Sequence, residues 1–487
     1  MNKRYWSALV MVLVALDVAL TYWQNSQLPL DGDLVPTIFP APWYSKVMHD
    51  PFGWAVLTNN EVYAATNRFF AHATMMLYWK QVPHLLQHFT TPINSLYVAS
   101  ALFNTGAQAL ILFTLAAYVR LGAAAGREPQ GSSWSFWLAV ALLAPLFQTT
   151  GFYEQMGITN WAVTYTFFYA FPIALVLLLL WPFYRAACRR QPLHLRPWRV
   201  VLLVLLMVVV SFNGPIATAA VAVLLLGIGG YWVWRHRQQL LRWPMRYAPA
   251  SDDWLSNQAL GLLAVLAGLS MYSLYIGRNN AENSSAHSLW ELYQLLPIGV
   301  YLSLKMHWGL PLLALLLLVN AQVVRRLLPP SAEQQRVLRT LRWVGLFVLV
   351  FLLLLPLGGY RPYRPYLVRG DSILPIIIGL FYAYGISTYF LLHQLKGRVR
   401  STYVAAVALF AAPFVYADSA IKMPRNNDCE RWALDQIARS PEPVVHVAPY
   451  CSVISWDAVI PDYHQTDLQG EMLYYWGVTT TKKMYYQ

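Results

Sequence analysis

Apolar residues run through this chain in long blocks, and polar residues collect between them. About eleven blocks approach the ~20 residues that an α-helix needs to cross a bilayer. They are 5–23, 94–119, 134–148, 161–184, 200–212, 217–234, 257–276, 310–324, 343–356, 373–392 and 403–417, several of them shorter than that norm. The pattern predicts an all-α polytopic membrane protein. Phe212-Asn213-Gly214-Pro215 joins two blocks almost directly, because Gly and Pro punctuate helices. The stretch 289–308 is apolar too, but it holds Glu291, Pro297, Lys305 and His307, and it reads as an interfacial or re-entrant helix.

Composition agrees with the pattern. Hydrophobic residues make up 57% of the chain and charged residues 12%, against roughly 25% charged in a soluble domain. A formal charge of +13 would suit nucleic acid, but the basic residues sit in short groups between apolar blocks. These groups are Lys3/Arg4, Arg120/Arg127, the five arginines Arg185, Arg189, Arg190, Arg196 and Arg199, the set from Arg235 to Arg246, the set from Arg325 to Arg342, and Lys396/Arg398/Arg400. They fall in every second connection, which the positive-inside rule assigns to the cytoplasm. No nucleic-acid partner is expected. The expectation is a multi-pass protein of the plasma (inner) membrane, with a cytoplasmic N-terminus and an extracytoplasmic C-terminus. The basic start and long first block, without a cleavage site, read as a retained first span.

The alternate connections carry most of the acids, histidines and aromatics, so chemistry is expected on the outer face. Two parts follow: a transmembrane domain over 1–418 with a long first outer loop at 24–93, and a small α/β outer module over 419–487. In that module 429–437 has helical spacing and 444–448 reads as a strand. So few residues lie near the lower limit for an independent core. The module is expected to lean on the membrane domain or on a Cys429–Cys451 disulfide, the alternative being two buried free thiols. With Cys188, these cysteines fit no zinc or CxxC spacing.

Candidate chemistry centres on Asp31-Gly32-Asp33, just after the first block. One carboxylate there would accept a proton from a hydroxyl as a general base. The other would orient substrate or help hold a divalent metal through oxygen. Asp-Gly is also ordinary turn chemistry. His49 and Asp50 would assist at a metal or sugar phosphate, although Asp before Pro51 also starts turns and helices. Arg361, Tyr363, Arg364 and Arg369 share one short outer connection, against the positive-inside bias. Arginine forks match phosphate, and tyrosine faces stack on sugars. The competing reading is an interfacial anchor, with Arg369 paired to Asp371. Arg68 and Glu154 lie in outer loops and would line the same site. Asp17 is an acid within the first span and a functional suspect by default. No Walker, dinucleotide, HExxH or GxSxG motif appears in a usable context.

The arrangement of many spans, an acidic motif in the first outer loop and a terminal outer module resembles the integral-membrane glycosyltransferases of the GT-C class. The matching pieces are Asp31-Gly32-Asp33, the loop to Ile93, and the tail from Asp418. This chain has Asp-Gly-Asp where better-known members have Asp-Glu or Asp-Asp, and it lacks the WWD-type motif of the oligosaccharyltransferase branch. The resemblance implies a GT-C-like fold and transfer of a sugar from a polyprenyl-phosphate donor to a glycan, lipid or protein acceptor. Asp31 or Asp33 would act as base, and Arg361, Arg364 or Arg369 would stabilise the leaving phosphate. The other readings are a lipid-glycan flippase or exporter, which calls for paired intramembrane charges or repeat symmetry, and a membrane scaffold.

Overall fold

The structure is a computed structural model that describes residues 3–123, 133–147, 156–240, 254–283, 287–305, 308–361, 366–419, 426–448 and 450–487. Among the described residues, nine helices are long and apolar enough to cross a membrane, from Arg4–Ser26 to Gly397–Asp418. Two further apolar helices, Trp134–Leu146 and Pro197–Ser211, are shorter. Each of the eleven blocks expected from the sequence is therefore helical. The two short ones fall below the length of a span: Pro197–Ser211 has 15 residues and extends only about 22 Å. The stretch with Glu291 forms a separate helix, Leu289–Lys305, with Pro297 inside it.

Local chemistry sets the helix ends. Gly214 takes φ +114°, which L side chains rarely adopt, and Pro215 starts the next helix where its missing N–H costs nothing. The Ser256 hydroxyl accepts the Ala259 N–H at 3.2 Å, and the Ser331 hydroxyl accepts the Gln334 N–H at 3.0 Å, each capping a long helix.

Leu374–Gln394, Val163–Arg189 and Pro92–Ala123 form the centre of the bundle, with 83%, 61% and 56% of their apolar windows buried. Ala332–Gly358, with 11% buried, lies at the periphery. The central core packs Ile111, Leu115 and Val119 with Leu143, Ile377, Phe381 and Tyr384.

The connections expected on a common side do meet at one end of the bundle. Tyr63 and Asn280 form a parallel bridge, and the Asn279 amide donates to the Asn60 carbonyl and side chain at 3.2 and 3.0 Å. The Asn427 N–H donates to the Gln27 carbonyl at 2.9 Å. The first loop is largely helical: Leu34–Ile38, Pro42–His49, Trp54–Asn59 and Phe69–Leu86.

The C-terminal segment folds back onto this loop. It holds two helices, Asp428–Arg439 and Asp467–Tyr475, and the expected strand, Val444–His446. That strand pairs in parallel with Met484–Tyr486 at the chain end, a partner the sequence pattern did not disclose. Cys429 and Cys451 are joined by a disulfide. Leu434, Ile437, Val453, Trp476 and Tyr485 share one core with Leu30, Leu34, Met75 and Trp79 of the first loop. The Trp476 indole N–H donates to the Trp79 carbonyl at 2.9 Å. The segment thus leans both on the disulfide and on the first loop.

Candidate functional site

The Asp31-Gly32-Asp33 turn is held from three sides. The Leu30 N–H donates to Glu430 Oε2 at 2.9 Å. The Thr164 N–H and hydroxyl donate to the Asp31 carboxylate at 3.1 and 2.6 Å. The Asp33 N–H donates to Asp31 Oδ1 at 3.2 Å, closing an Asx-type turn. Asp31 is fully buried. Burial, and then the charge of Asp33, push its carboxyl up to about 7, while the three hydrogen bonds pull the other way. Asp33 faces outward, and one of its oxygens accepts the Trp456 indole N–H at 2.9 Å. Gly32 is needed for close approach: a Cβ there would stand 2.5 Å from the Trp456 backbone nitrogen.

Asp33 opens onto a cavity of about 420 Å³. Its charged lining is Asp33, Arg68, Glu282 and Arg361, and its aromatic lining is Tyr44, Tyr165, Phe168, Tyr169 and Trp456. These residues come from the first loop, the start of the Val163–Arg189 span, the connections after two later spans, and the C-terminal segment. A π-helical turn over Thr166–Ala170 carries Phe168 and Tyr169, a local irregularity that often marks functional sites. Trp456 packs edge-on to Trp161 at 5.3 Å and tilted to Tyr165 at 5.9 Å.

Glu282 organises the far wall. It pairs with Arg361, lies 4.0 Å from Arg68, and accepts the Tyr44 hydroxyl at 2.8 Å. Burial opposes its charge, but Arg68 and Arg361 outweigh that and draw its carboxyl down to about 2. Arg68 stacks over Phe168 at 5.0 Å. Its side chain is 6% exposed, and its Nε has no hydrogen-bond partner among the described residues. Behind this wall His72 lies between Tyr44 and Phe168, with ring centroids at 4.9 and 5.1 Å. Burial and then Arg68 lower its pKa to about 3, so it is neutral.

The remaining sequence candidates that fall within the described residues lie elsewhere. Asp31, expected beside Asp33 as a second catalytic or metal-binding acid, is enclosed and does not line the cavity. Both Asp31 oxygens accept hydrogen bonds, and Asp31 faces Thr164 rather than the cavity onto which Asp33 opens. Among the described residues no group of three or more His, Cys, Asp or Glu side chains gathers as a metal set. His49, expected at the substrate, is exposed and its ring nitrogen sits 2.8 Å from the Ser45 carbonyl. Asp50, expected there too, is a helix cap: it accepts the Trp54 and Ala55 N–H groups at 2.7 and 2.8 Å and the Tyr63 hydroxyl at 3.0 Å. Arg369 forms a fork with Asp371 at 2.9 and 3.1 Å and does not line the cavity. Tyr363, Arg364 and Glu154 lie outside the described residues.

Sequence reasoning missed Glu282, Tyr44, Tyr165, Tyr169 and Trp456. The one signal was for Glu282, an acid in an outer connection right after a span. Set against protein-family models, the chain matches none, and no curated protein is significantly similar to it.

Proposed function

We propose that this cavity is the active site of a membrane glycosyltransferase of the GT-C type. It moves a sugar from a polyprenyl-phosphate donor to an acceptor hydroxyl at the outer face of the membrane. The observation that carries this reading is the convergence of Asp33 and Arg68, both of the first loop, with Arg361 of a much later connection on one aromatic-walled cavity. Such a reaction needs a base at the acceptor and positive charge at the leaving phosphate, with an oxocarbenium-like centre between them.

In this reading Asp33 takes the acceptor proton as the acceptor oxygen attacks the anomeric carbon. The bond from that carbon to the phosphate oxygen breaks, and the lipid phosphate leaves toward the guanidinium groups. Arg68 suits that role best, because a phosphate oxygen would satisfy its buried Nε. Arg361, oriented by Glu282, adds a second fork. Tyr165, Tyr169 and Trp456 offer flat faces to sugar rings. Asp31 acts through Asp33, by fixing the turn.

The test is sugar transfer from radiolabelled polyprenyl-phosphate donors in membranes containing the protein. Asp33→Asn keeps shape and removes the base, so transfer falls by roughly 10²–10⁴ with protein level unchanged. Full transfer by a well-expressed Asp33→Asn variant sinks the proposal.

A further inference from the structure

The aromatic lining of the cavity continues beyond its mouth. Trp161, Tyr165 and Tyr169 are half-buried, and all the residues between them are buried. A spacing of four brings successive side chains to one face of a helix. Phe167 points the other way, into the core, where it stacks on Phe103 with ring centroids 3.4 Å apart.

Trp456 of the C-terminal segment joins the three outer rings into a row. Its centroid lies 5.3 Å from Trp161 and 5.9 Å from Tyr165, and Tyr165 lies 5.7 Å from Tyr169. Each step is close to the breadth of one pyranose ring. Tyr165, Tyr169 and Trp456 line the cavity and Trp161 does not, so the row leads out of it. Trp456 is 42% exposed, and residues 457–459 after it are exposed as well.

Two features assign the row to one side of the reaction. The Trp456 indole N–H donates to Asp33 at 2.9 Å, so a ring lying on Trp456 sits beside the base. The arginines assigned to the donor phosphate, Arg68 and Arg361, gather instead around Glu282. The row therefore serves the acceptor. Its chemistry selects the acceptor class. An acyl chain asks for aliphatic walls, and an extended peptide asks for an open strand edge. The row offers flat apolar faces edged by indole N–H and phenol groups. Sugars match that combination, with C–H groups on their ring faces and hydroxyls round the rim.

We infer that the acceptor is itself a saccharide chain, and that Trp161, Trp456 and Tyr165 hold its last units in file with the terminal hydroxyl at Asp33. The inference rests on the reading of the cavity as a glycosyltransferase site. It adds the acceptor class, and it adds Trp161 as a residue that binds acceptor from outside the cavity.

Two measurements on the full-length protein test it, one with turnover and one without. In the first, label is transferred in membranes from radiolabelled polyprenyl-phosphate sugars. The product is treated with protease, freed from any lipid carrier by mild acid, and sized. The label should sit on a glycan of more than two sugars. Label recovered only as a single sugar or a single-sugar glycopeptide overturns the inference and leaves the glycosyltransferase reading intact. In the second, saturation-transfer NMR follows binding to the protein in lipid nanodiscs, with no donor present. The probes are maltotetraose, cellotetraose, mannotetraose and tetra-N-acetylchitotetraose, each against its monosaccharide. At least one tetrasaccharide should bind roughly tenfold more tightly than its monosaccharide. Trp161→Ala should weaken that tetrasaccharide by roughly three- to tenfold, and Trp161→Phe, which keeps a ring, should restore most of the loss. Should Trp161→Ala fail to fold, Trp161→Leu fills much of the volume without a flat face and takes its place. No gain with chain length in any of the series overturns the inference, as does native-like tetrasaccharide binding by a folded Trp161 variant that lacks a ring. Length-dependent binding without transfer from any donor would keep the saccharide site and remove the glycosyltransferase reading, so the two failures stay apart.

Discussion

Gly32→Ala probes how the C-terminal segment shapes the proposed site. The added methyl would lie 2.5 Å from the Trp456 backbone nitrogen, 2.6 Å from its ring Cδ1 and 3.0 Å from the Ser455 carbonyl carbon. The nearest of these is about 0.9 Å short of ordinary van der Waals contact, which begins at 3.4 Å. Backbone cannot swing aside as the end of a flexible side chain can. The turn and the 455–456 backbone must therefore separate by most of that distance. The hydrogen bond from the Trp456 indole to Asp33 is 2.9 Å long, and a shift of that size takes it past the ~3.5 Å at which such a bond is lost. Overpacking of this kind costs roughly 1–3 kcal/mol, which a folded bundle survives. The effect on transfer is larger, because misplacing a reacting group by about 1 Å can cost about 10²-fold. The assay pairs sugar transfer in membranes with thermal unfolding of the solubilised protein followed by tryptophan fluorescence. A small drop in melting temperature with a drop in transfer near a hundredfold is expected. Trp456→Phe removes the N–H donor and part of the ring without adding a clash, and should fall between the native protein and Gly32→Ala. Native transfer by Gly32→Ala would refute the claim that Trp456 sets the position of Asp33.

Two further outcomes test the distinction between residues that hold the fold and residues that face substrate. Asp50→Ala frees two helix N–H groups and the Tyr63 hydroxyl, so it should destabilise by roughly 2–3 kcal/mol. That loss is read as a lower melting temperature, and an unchanged melting temperature with lost transfer would return Asp50 to the substrate. Glu430 gives a pH signature. Burial foremost, with Asp31 adding, pushes its carboxyl up from 4.5 to about 7, against three hydrogen bonds. The folded state then holds this proton more tightly than the unfolded chain does. Its contribution to stability is present at pH 4.5 and is lost as pH rises toward 7. Glu430→Gln removes that slope: the variant should be the less stable protein at pH 5 and should close the gap by pH 8. A melting difference that stays constant between those pH values rejects this account.

What could be read from the sequence depended on whether the signal was local. The eleven helical blocks were legible because lipid leaves the backbone no partner but its own helix, which forces long apolar runs. The Phe212–Pro215 hinge was legible because Gly214 and Pro215 state their backbone demands residue by residue. The pairing of Arg369 with Asp371, two residues away, was visible as an alternative. So was the turn or helix-start reading of Asp50-Pro51, and in both cases the local reading describes the structure. Arg68 and Arg361 were picked as candidates, but their shared partner Glu282 was not. The Tyr44–Glu282 and Asp33–Trp456 contacts span 238 and 423 residues, and nothing near any of those residues announces the other. The division of labour between Asp31 and Asp33 was equally hidden. Two residues apart, they differ because the fold buries Asp31 against Thr164 and leaves Asp33 at the cavity.

The same long-range contacts bear on how the tail relates to the rest of the chain. A separable module would keep its own core and touch its neighbour through a polar surface. Here Trp476 packs on Trp79 with ring centroids 5.5 Å apart, and Glu430 accepts hydrogen bonds from Leu30, Tyr97 and Ile454 at 2.9, 2.9 and 2.8 Å. One buried carboxylate therefore ties the first loop, the Pro92–Ala123 helix and the tail at a single point. Closing so long a loop costs entropy that rises only with the logarithm of its length, so distance in sequence is a small obstacle once an apolar core is shared. The tail also supplies Trp456 to the cavity wall. Cutting the chain before Asn427 would leave Leu30, Leu34 and Trp79 without their cover and Asp33 without its indole donor. In physical terms the last 60 or so residues complete the first loop, and the cavity gains its Trp456 wall only once they have folded back onto it.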